Sequence, residues 1–294
     1  MILVTGATGT CGREIVKQLA GAGVKVRAMV RSLERVAEIR LPEVEIVQGD
    51  LNRPGSLDAP LQGVERALLL TPSEITDWDM CANFLAAAKR SELRHIVRLS
   101  ALGADRWNAC RLLRSHRQCE RDIEASGLAY THLRPNMFYQ NLFWYADTIR
   151  KEGMLRLPLG DAKIGHVDVR DIAAVTVTVL TQPGHEGMAY EITGPELMTC
   201  HDVAKELSTL LNRKVAYVAI SPEAFKQNLT RTGRSEVMVG RLNELFADFR
   251  VGGGEVLTTT VRDLTGRPPI EFARFIRDYE TVFAGVPVAH GAGM

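Results

Sequence analysis

Through the first 135 positions, short apolar runs alternate with stretches in which apolar residues recur every three or four places. Ile2–Thr5, Lys25–Val30, Val44–Gln48, Ala67–Thr71, His95–Ser100 and Ala129–Leu133 read as strands; Thr10–Ala22, Leu33–Arg40, Trp78–Arg90 and Cys110–Ser126 read as the helices between them. Strands rich in valine, leucine and isoleucine, joined by helical crossovers, predict a parallel sheet covered on both faces. Such a sheet binds its ligand outside the carboxyl ends of the strands, where the strand order reverses. Past residue 150 the rhythm changes. A loop with glycines and prolines runs from Gly153 to Gly165, His166 to Asp171 lead into a helix over Ile172–Leu180, and Tyr190–Ile192 is a strand ended by Thr193-Gly194-Pro195. Thr199, with Asp202 three residues on, predicts a capping box before the helix Val203–Leu211. The remainder is mostly helical, and the tail Gly285–Met294, with little to bury, reads as mobile.

The first apolar run is followed at once by Gly6-Ala7-Thr8-Gly9-Thr10-Cys11-Gly12, then by Ile15, Val16 and Leu19 at helical spacing. Strand, glycine turn, helix is the setting that turns a glycine pattern into a phosphate site. Gly6 serves the tight turn, Gly9 the close approach of a pyrophosphate, and Gly12 the packing of helix on strand. The free N–H groups and positive end of the helix then face the anion. The expected fold is α/β: a Rossmann-type doubly wound parallel sheet with a smaller, mostly helical C-terminal substrate-binding part. Residues 1–150 would form the dinucleotide-binding domain, with 165–195 returning to it; 151–164 and 196–294 would form the smaller part.

Arg31 follows the second strand directly, about twenty residues beyond the glycine loop, where an Asp or Glu would hold the adenosine ribose hydroxyl and select NAD. Its planar, permanently charged fork suits a 2′-phosphate instead, and Ser32 and Arg35 stand near enough to assist. The expected cofactor is therefore NADP(H) rather than NAD(H). Asp50 and Leu51, just after the third strand, either flank the adenine or, for Asp50, simply cap a helix.

Charge and cysteine usage narrow the partners. Lys+Arg 36 against Asp+Glu 35 leaves +1, so no global field draws nucleic acid or an anionic membrane. No apolar run approaches the roughly 18–20 residues of a membrane span, and Met1 leads straight into the first strand, which argues against a signal peptide. Five scattered cysteines (Cys11, Cys81, Cys110, Cys119, Cys200) without a C-x-x-C indicate neither a disulfide framework nor a metal site. A small-molecule substrate, a reducing cytoplasm and a monomer or homodimer are expected.

Further segments extend the pattern along the chain: Gly49-Asp50-Leu51, Leu70-Thr71-Pro72, Leu99-Ser100, Leu133 to Phe138 with Asn141, Val167 to Ala173, Thr193 to Glu196, and Leu264-Thr265-Gly266-Arg267. With the glycine loop and Arg31, they give a chain that resembles the NmrA-like branch of the atypical short-chain dehydrogenase/reductases, which includes bacterial NAD(P)H:quinone oxidoreductases and triphenylmethane reductases. The resemblance implies that residues 6–11 hold the pyrophosphate, Arg31 the 2′-phosphate, and Leu70, Thr71, Pro72 and Ser73 the middle of the dinucleotide. It places Asn136–Asn141 beside the nicotinamide, with Asn136 and Phe138 as cofactor contacts, and closes the loops after residue 150 and the C-terminal helices over the substrate.

Ordinary members of the wider superfamily use Tyr-x-x-x-Lys, the Tyr giving a proton to a carbonyl oxygen. Here the residues four places after Tyr130, Tyr139, Tyr145, Tyr190, Tyr217 and Tyr279 are Arg134, Phe143, Ile149, Gly194, Ser221 and Phe283, so the pair is absent. In the corresponding helix, His116 and Glu120 are four apart on one face. Either His116 holds the ribose or donates a proton while Glu120 orients its ring, or the two form a surface pair worth a few tenths of a kcal/mol. Ser100 is a substrate contact or a cap. The aromatic run Phe138–Tyr145, with Tyr139 and Asn141 as substrate contacts, walls a pocket for a flat molecule, or forms a core stripe at Phe138, Leu142 and Tyr145. Cys110 and Cys119 receive no role. Hydride transfer to an activated acceptor needs little acid–base help, since the cofactor carries the hard chemistry. The expected function is an NADPH-dependent reductase of quinone-like or other conjugated acceptors. The alternatives are an NADP(H)-sensing regulator that binds a protein partner, and a biosynthetic reductase or isomerase of one metabolite.

Overall fold

The structure, a computed structural model, describes residues 1–71, 77–231 and 233–284. Pro72, Ser73, the side chain of Arg35 and the tail Gly285–Met294 lie outside the described residues. The strands are β1 (Ile2–Val4), β2 (Val26–Val30), β3 (Val44–Gln48), β4 (Arg66–Leu69), β5 (His95–Leu99), β6 (Ala129–Pro135), β7 (Met154–Leu157), β8 (Met188–Ile192) and β9 (Ala216–Ala219). Seven of them form one parallel sheet in the order β3-β2-β1-β4-β5-β6-β8. The chain winds outward from β1 to β3, then returns to β4 on the other side of β1. The strand order therefore reverses between β1 and β4, and a crevice opens at their carboxyl ends.

The helices are α1 (Thr10–Gly21), α2 (Asp58–Leu61), α3 (Asp77–Ala88), α4 (Arg111–Glu124), α5 (Ala146–Glu152), α6 (Val169–Thr181), α7 (Cys200–Leu210), α8 (Pro222–Arg231), α9 (Glu236–Arg250), α10 (Thr260–Thr265), α11 (Phe272–Asp278) and α12 (Glu280–Ala284). Alternation along β1 sets the two faces of the sheet. Ile2 and Val4 enter a core shared with Ile15, Leu19, Ile172 and Val179 of α1 and α6, while Leu3 enters one shared with Phe84, Leu85 and Ile123 of α3 and α4. A third core lies in a smaller lobe around the parallel pair β7 and β9, where Phe225, Phe246, Phe272, Phe275 and Phe283 are buried. Each such side chain contributes about 1.5–3 kcal/mol of transfer free energy.

Caps explain several boundaries. Thr199 Oγ1 accepts from the Asp202 N–H (3.1 Å) while Asp202 accepts from the Thr199 N–H (2.9 Å), closing the expected capping box one residue before α7. Asp168 is wholly buried and caps α6, accepting from the Arg170 N–H (2.8 Å) and Gln140 Nε2 (2.9 Å). Asp171 accepts from Arg267 Nη1 and from the Ile270 N–H, both at 2.7 Å, tying α6 to the turn after α10. The segments Val167–Ala173 and Leu264–Arg267, which carry part of the resemblance, thus hold α6 in place and do not line the cavity described below.

Two expectations are corrected. Leu33–Arg40 is not one helix but two 3-10 turns, Leu33–Arg35 and Ala37–Ile39. Among the described side chains of this stretch only Val36 and Ile39 reach the core, and a three-residue interval between anchors suits the tighter period. Cys81 of α3 and Cys119 of α4 form a disulfide at the buried contact between those helices, a pairing that their distance of 38 residues in sequence conceals. Cys11, Cys110 and Cys200 are free thiols.

Candidate active site

A cavity of about 600 Å³ opens over the carboxyl ends of the sheet. The loops after β1 to β6 all contribute, so the walls alternate between turn backbone and strand-end side chains. Gly6, Thr8, Gly9, Thr10, Cys11 and Gly12 line one end. Gly6 takes φ +59°, a left-handed conformation open to glycine, and a Cβ on Gly12 would stand 2.2 Å from the Gly6 carbonyl oxygen. The loop is a cradle that side chains would fill. No side chain caps the start of α1, which leaves its first N–H groups for an anion. The Ala7 methyl lies in the core beneath the loop, which leaves its backbone for the expected contact. Burial pushes the Cys11 thiol up to about 12, so it stays protonated.

Arg31, Asp50 and Leu51 line the same end, Arg31 being largely exposed. Ser32 is engaged locally, its Oγ accepting from the Glu34 N–H (3.2 Å). Leu70 and Thr71 line the middle, and Thr71 Oγ1 accepts from Arg98 Nη2 (2.8 Å). Arg98, which the sequence reading passed over, is wholly buried in β5 and also donates to the Leu69 carbonyl oxygen (3.2 Å). A lone arginine in the apolar strand His95–Leu99 was the signal. Its Nη2 also lies 3.4 Å from Nδ1 of His116. A guanidinium only donates, so Nδ1 can serve only as the acceptor in that contact.

Asn136, Phe138, Ser100, Asn141 and His116 line the cavity further along. Asn136 Nδ2 donates to the Gly254 carbonyl oxygen (3.0 Å), fixing the small lobe against β6. Ser100 is buried at the end of β5, and its hydroxyl stands close enough to the Glu120 carboxylate to help Arg134 hold that group ionised.

Two expected site residues are elsewhere. Glu120 is wholly buried behind α4 and does not line the cavity. Both its oxygens accept from Arg134, at 2.9 and 2.8 Å, and Oε2 also accepts from Arg117 (3.0 Å). Burial alone would raise its pKa; the Arg134 fork overrides this and holds it at about 2. Sharing a helix face with His116 does not make Glu120 its partner, because β6 presents a permanent cation to the carboxylate. Tyr139 is also buried, against His166, Phe272 and Phe275, and burial raises its phenol well above the ordinary range. The segment Tyr139–Tyr145 is a 3-10 helix, so residues three apart share a face. Phe138, Asn141 and Trp144 line the cavity while Tyr139, Leu142 and Tyr145 enter the small-lobe core. The aromatic run is both wall and core stripe, on different faces.

The far end of the cavity is walled by Leu112 and Leu113 of α4 and by Met238, Leu242, Leu245 and Phe249 of α9, with Arg241 among them. The α9 residues were missed as site residues, although the 4-3-4 spacing of Met238, Leu242, Leu245 and Phe249 was readable. Among the described residues, one trio of metal-ligand type lies together, Glu120, Glu124 and His132. The guanidinium groups of Arg134 and Arg117 already occupy its carboxylates.

The doubly wound sheet, the glycine cradle and the crevice at its switch point define a dinucleotide-binding protein. Residues 6–183 match a family model described as NAD(P)H-binding. An NAD(P)H azoreductase of Xenophilus azovorans is 38% identical over 287 residues, covering 96% of this chain and 99% of its own. A (4-alkanoyl-5-oxo-2,5-dihydrofuran-3-yl)methyl phosphate reductase of Streptomyces griseus is 36% identical, over 97% of this chain and 99% of its own. The crystal structure of an NADPH-dependent quinone oxidoreductase from Escherichia coli, complexed with NADPH, superposes with a TM-score of 0.86 at 28% identity, over 95% of this chain and 100% of that one. The chain belongs to this NAD(P)H-binding family, in the NmrA-like branch of the atypical short-chain dehydrogenase/reductases, and is an NAD(P)H-dependent reductase. No helix among the described residues is long and apolar enough to cross a membrane.

Proposed function

We propose that the protein is an NADPH-dependent reductase of flat, conjugated acceptors of quinone type. The observation that carries this reading is the continuity of one cavity from the glycine cradle to an end walled by Phe138, Trp144 and the apolar side chains of α9. When bound, NADPH supplies the hydride. Gly6 to Gly12 would hold its pyrophosphate, Arg31 its 2′-phosphate, and Asn136 and Phe138 would bound its nicotinamide end. The aromatic and aliphatic walls orient a flat acceptor and exclude water. Ser100 and His116, which line the stretch between cofactor loops and acceptor walls, are the groups we place beside the acceptor's polar atoms. A conjugated acceptor is already activated, which agrees with the absence of Tyr-x-x-x-Lys. The relatives named for azo, quinone and oxo-dihydrofuran substrates point the same way.

The test is NADPH oxidation with neutral quinones, an azo dye and simple ketones. Turnover of the conjugated compounds with the ketones inert is the expected outcome. Tight NADP binding without turnover of any of them would overturn the reading in favour of a sensing role. For the cofactor, Arg31→Ala is expected to weaken NADPH by about 10- to 150-fold, the worth of charge-assisted hydrogen bonds at roughly 1.5–3 kcal/mol. NADH, without the phosphate, should be nearly unaffected. Titration of both cofactors against both proteins checks it, and equal losses would refute the role given to Arg31.

A further inference from the structure

One face of α9 looks into the acceptor end of the cavity, carrying Met238, Arg241, Leu242, Leu245 and Phe249. Four of the five are apolar, as a wall for a flat hydrocarbon body requires; the fifth is a guanidinium set within the stripe. The other charged or titratable side chains lining the cavity, among the described residues, belong elsewhere. Cys11 belongs to the glycine cradle, Arg31 and Asp50 stand at the ends of β2 and β3, and His116 stands midway on α4. Arg241 is thus the guanidinium that itself lines the acceptor end.

Its distance from the reacting region follows from the helix. The ring of Phe249 packs on Gly254, whose carbonyl oxygen takes the Asn136 amide. Arg241 lies eight residues back along α9, roughly 12 Å at 1.5 Å per residue. Trp144 lines the same end, with the Arg234 guanidinium stacked 3.9 Å over its ring. Trp144 and Arg241 both line the cavity, so an acceptor that fills this end would meet the two among its walls.

We propose that Arg241 is a specificity-determining residue for acceptors that carry an anionic substituent, a sulfonate, carboxylate or phosphate, on a flat conjugated body. The proposal rests on the reading of this cavity as a conjugated-acceptor site. A guanidinium presents a planar fork that matches such oxyanions in two parallel hydrogen bonds. Apolar walls on either side lower the local dielectric and strengthen the pairing beyond what a surface arginine provides. A neutral acceptor gains nothing from the cation, so Arg241 acts on selection and leaves hydride transfer alone.

The experiment compares 1,2-naphthoquinone with 1,2-naphthoquinone-4-sulfonate, using NADPH and the wild-type, Arg241→Ala and Arg241→Lys proteins. Arg241→Ala is expected to raise KM for the sulfonate by about 10- to 150-fold, while kcat and both constants for the neutral quinone change by less than about two-fold. Arg241→Lys should keep part of the preference, and added salt should erode it in the wild type. Equal effects on the two quinones, or none on either, overturn the proposal. If the wild type turns over neither quinone, the reductase reading fails, and calorimetry on NADP⁺-loaded protein decides Arg241 separately. Naphthalene-2-sulfonate should then bind the wild type at least about ten-fold tighter than 2-naphthol, and lose that margin in Arg241→Ala. A sulfonate that binds no tighter than the naphthol, or a margin that survives the substitution, refutes the assignment.

Discussion

Glu120→Ala is expected to destabilise the fold by about 3–5 kcal/mol, the cost of stranding the other half of a buried ion pair. Arg134 is 7% exposed and Glu120 wholly buried. Without the carboxylate, the guanidinium keeps Asp105, at 2.5 Å from Nη1, but loses both bonds that its Nε and Nη2 donate to Glu120. Urea unfolding at neutral pH checks the value, and a loss under about 1 kcal/mol would mean that water reaches Arg134. The pH dependence has a definite sign. The folded-state pKa of Glu120 is depressed to about 2, below its ordinary 4.5. The pair therefore stabilises the fold fully above about 4.5, and this contribution fades as pH falls from there through about 2. Glu120→Gln should flatten that part of the acid limb of the stability curve.

Gly12→Ala should weaken NADPH on the order of 100-fold or more, the scale on which a displacement of about 1 Å disables a positioned site. The added Cβ would meet the Gly6 carbonyl oxygen at 2.2 Å and Ala7 Cα at 2.9 Å, both backbone atoms that yield only if the loop opens. Gly21, at the other end of α1, is the control, since nothing lies within 4 Å of a Cβ there. Gly21→Ala should leave binding unchanged and stability equal or slightly higher. Calorimetric titration of NADPH separates the two, and binding by Gly12→Ala within about two-fold of wild type would show that the loop tolerates the opening.

The sheet is legible in the sequence because its information is local. A strand buried on both faces is an apolar run, as β1, β2 and β4 largely are, and glycine turns or helical patterns punctuate them. The glycine cradle is legible for the same reason, since Gly6, Gly9 and Gly12 lie within seven positions. What stays hidden depends on which neighbour a side chain meets across the fold. Glu120 and His116 share a helix face, yet Arg134, fourteen residues on and in another element, captures the carboxylate. Cys81 and Cys119 meet only because α3 and α4 lie side by side. Tyr139 and Phe138 are adjacent, and the 3-10 geometry that sends one into the core and the other to the cavity is invisible to a search for a period of 3.6. The short strands β7 and β9, four residues each, carry too little pattern to be distinguished from loop.

The seventh strand of the sheet is also the last to leave the ribosome. β6 pairs with β8, yet more than fifty residues separate them, and they pass through the small lobe and α6 on the way. A chain stopped at residue 150 would expose β6 as an open edge, the template for pairing with other copies, and would leave α1 without the helix that covers it. Synthesis must therefore reach Ile192 before the nucleotide half can close, and any exchange of that half between relatives must transplant two separate segments at once.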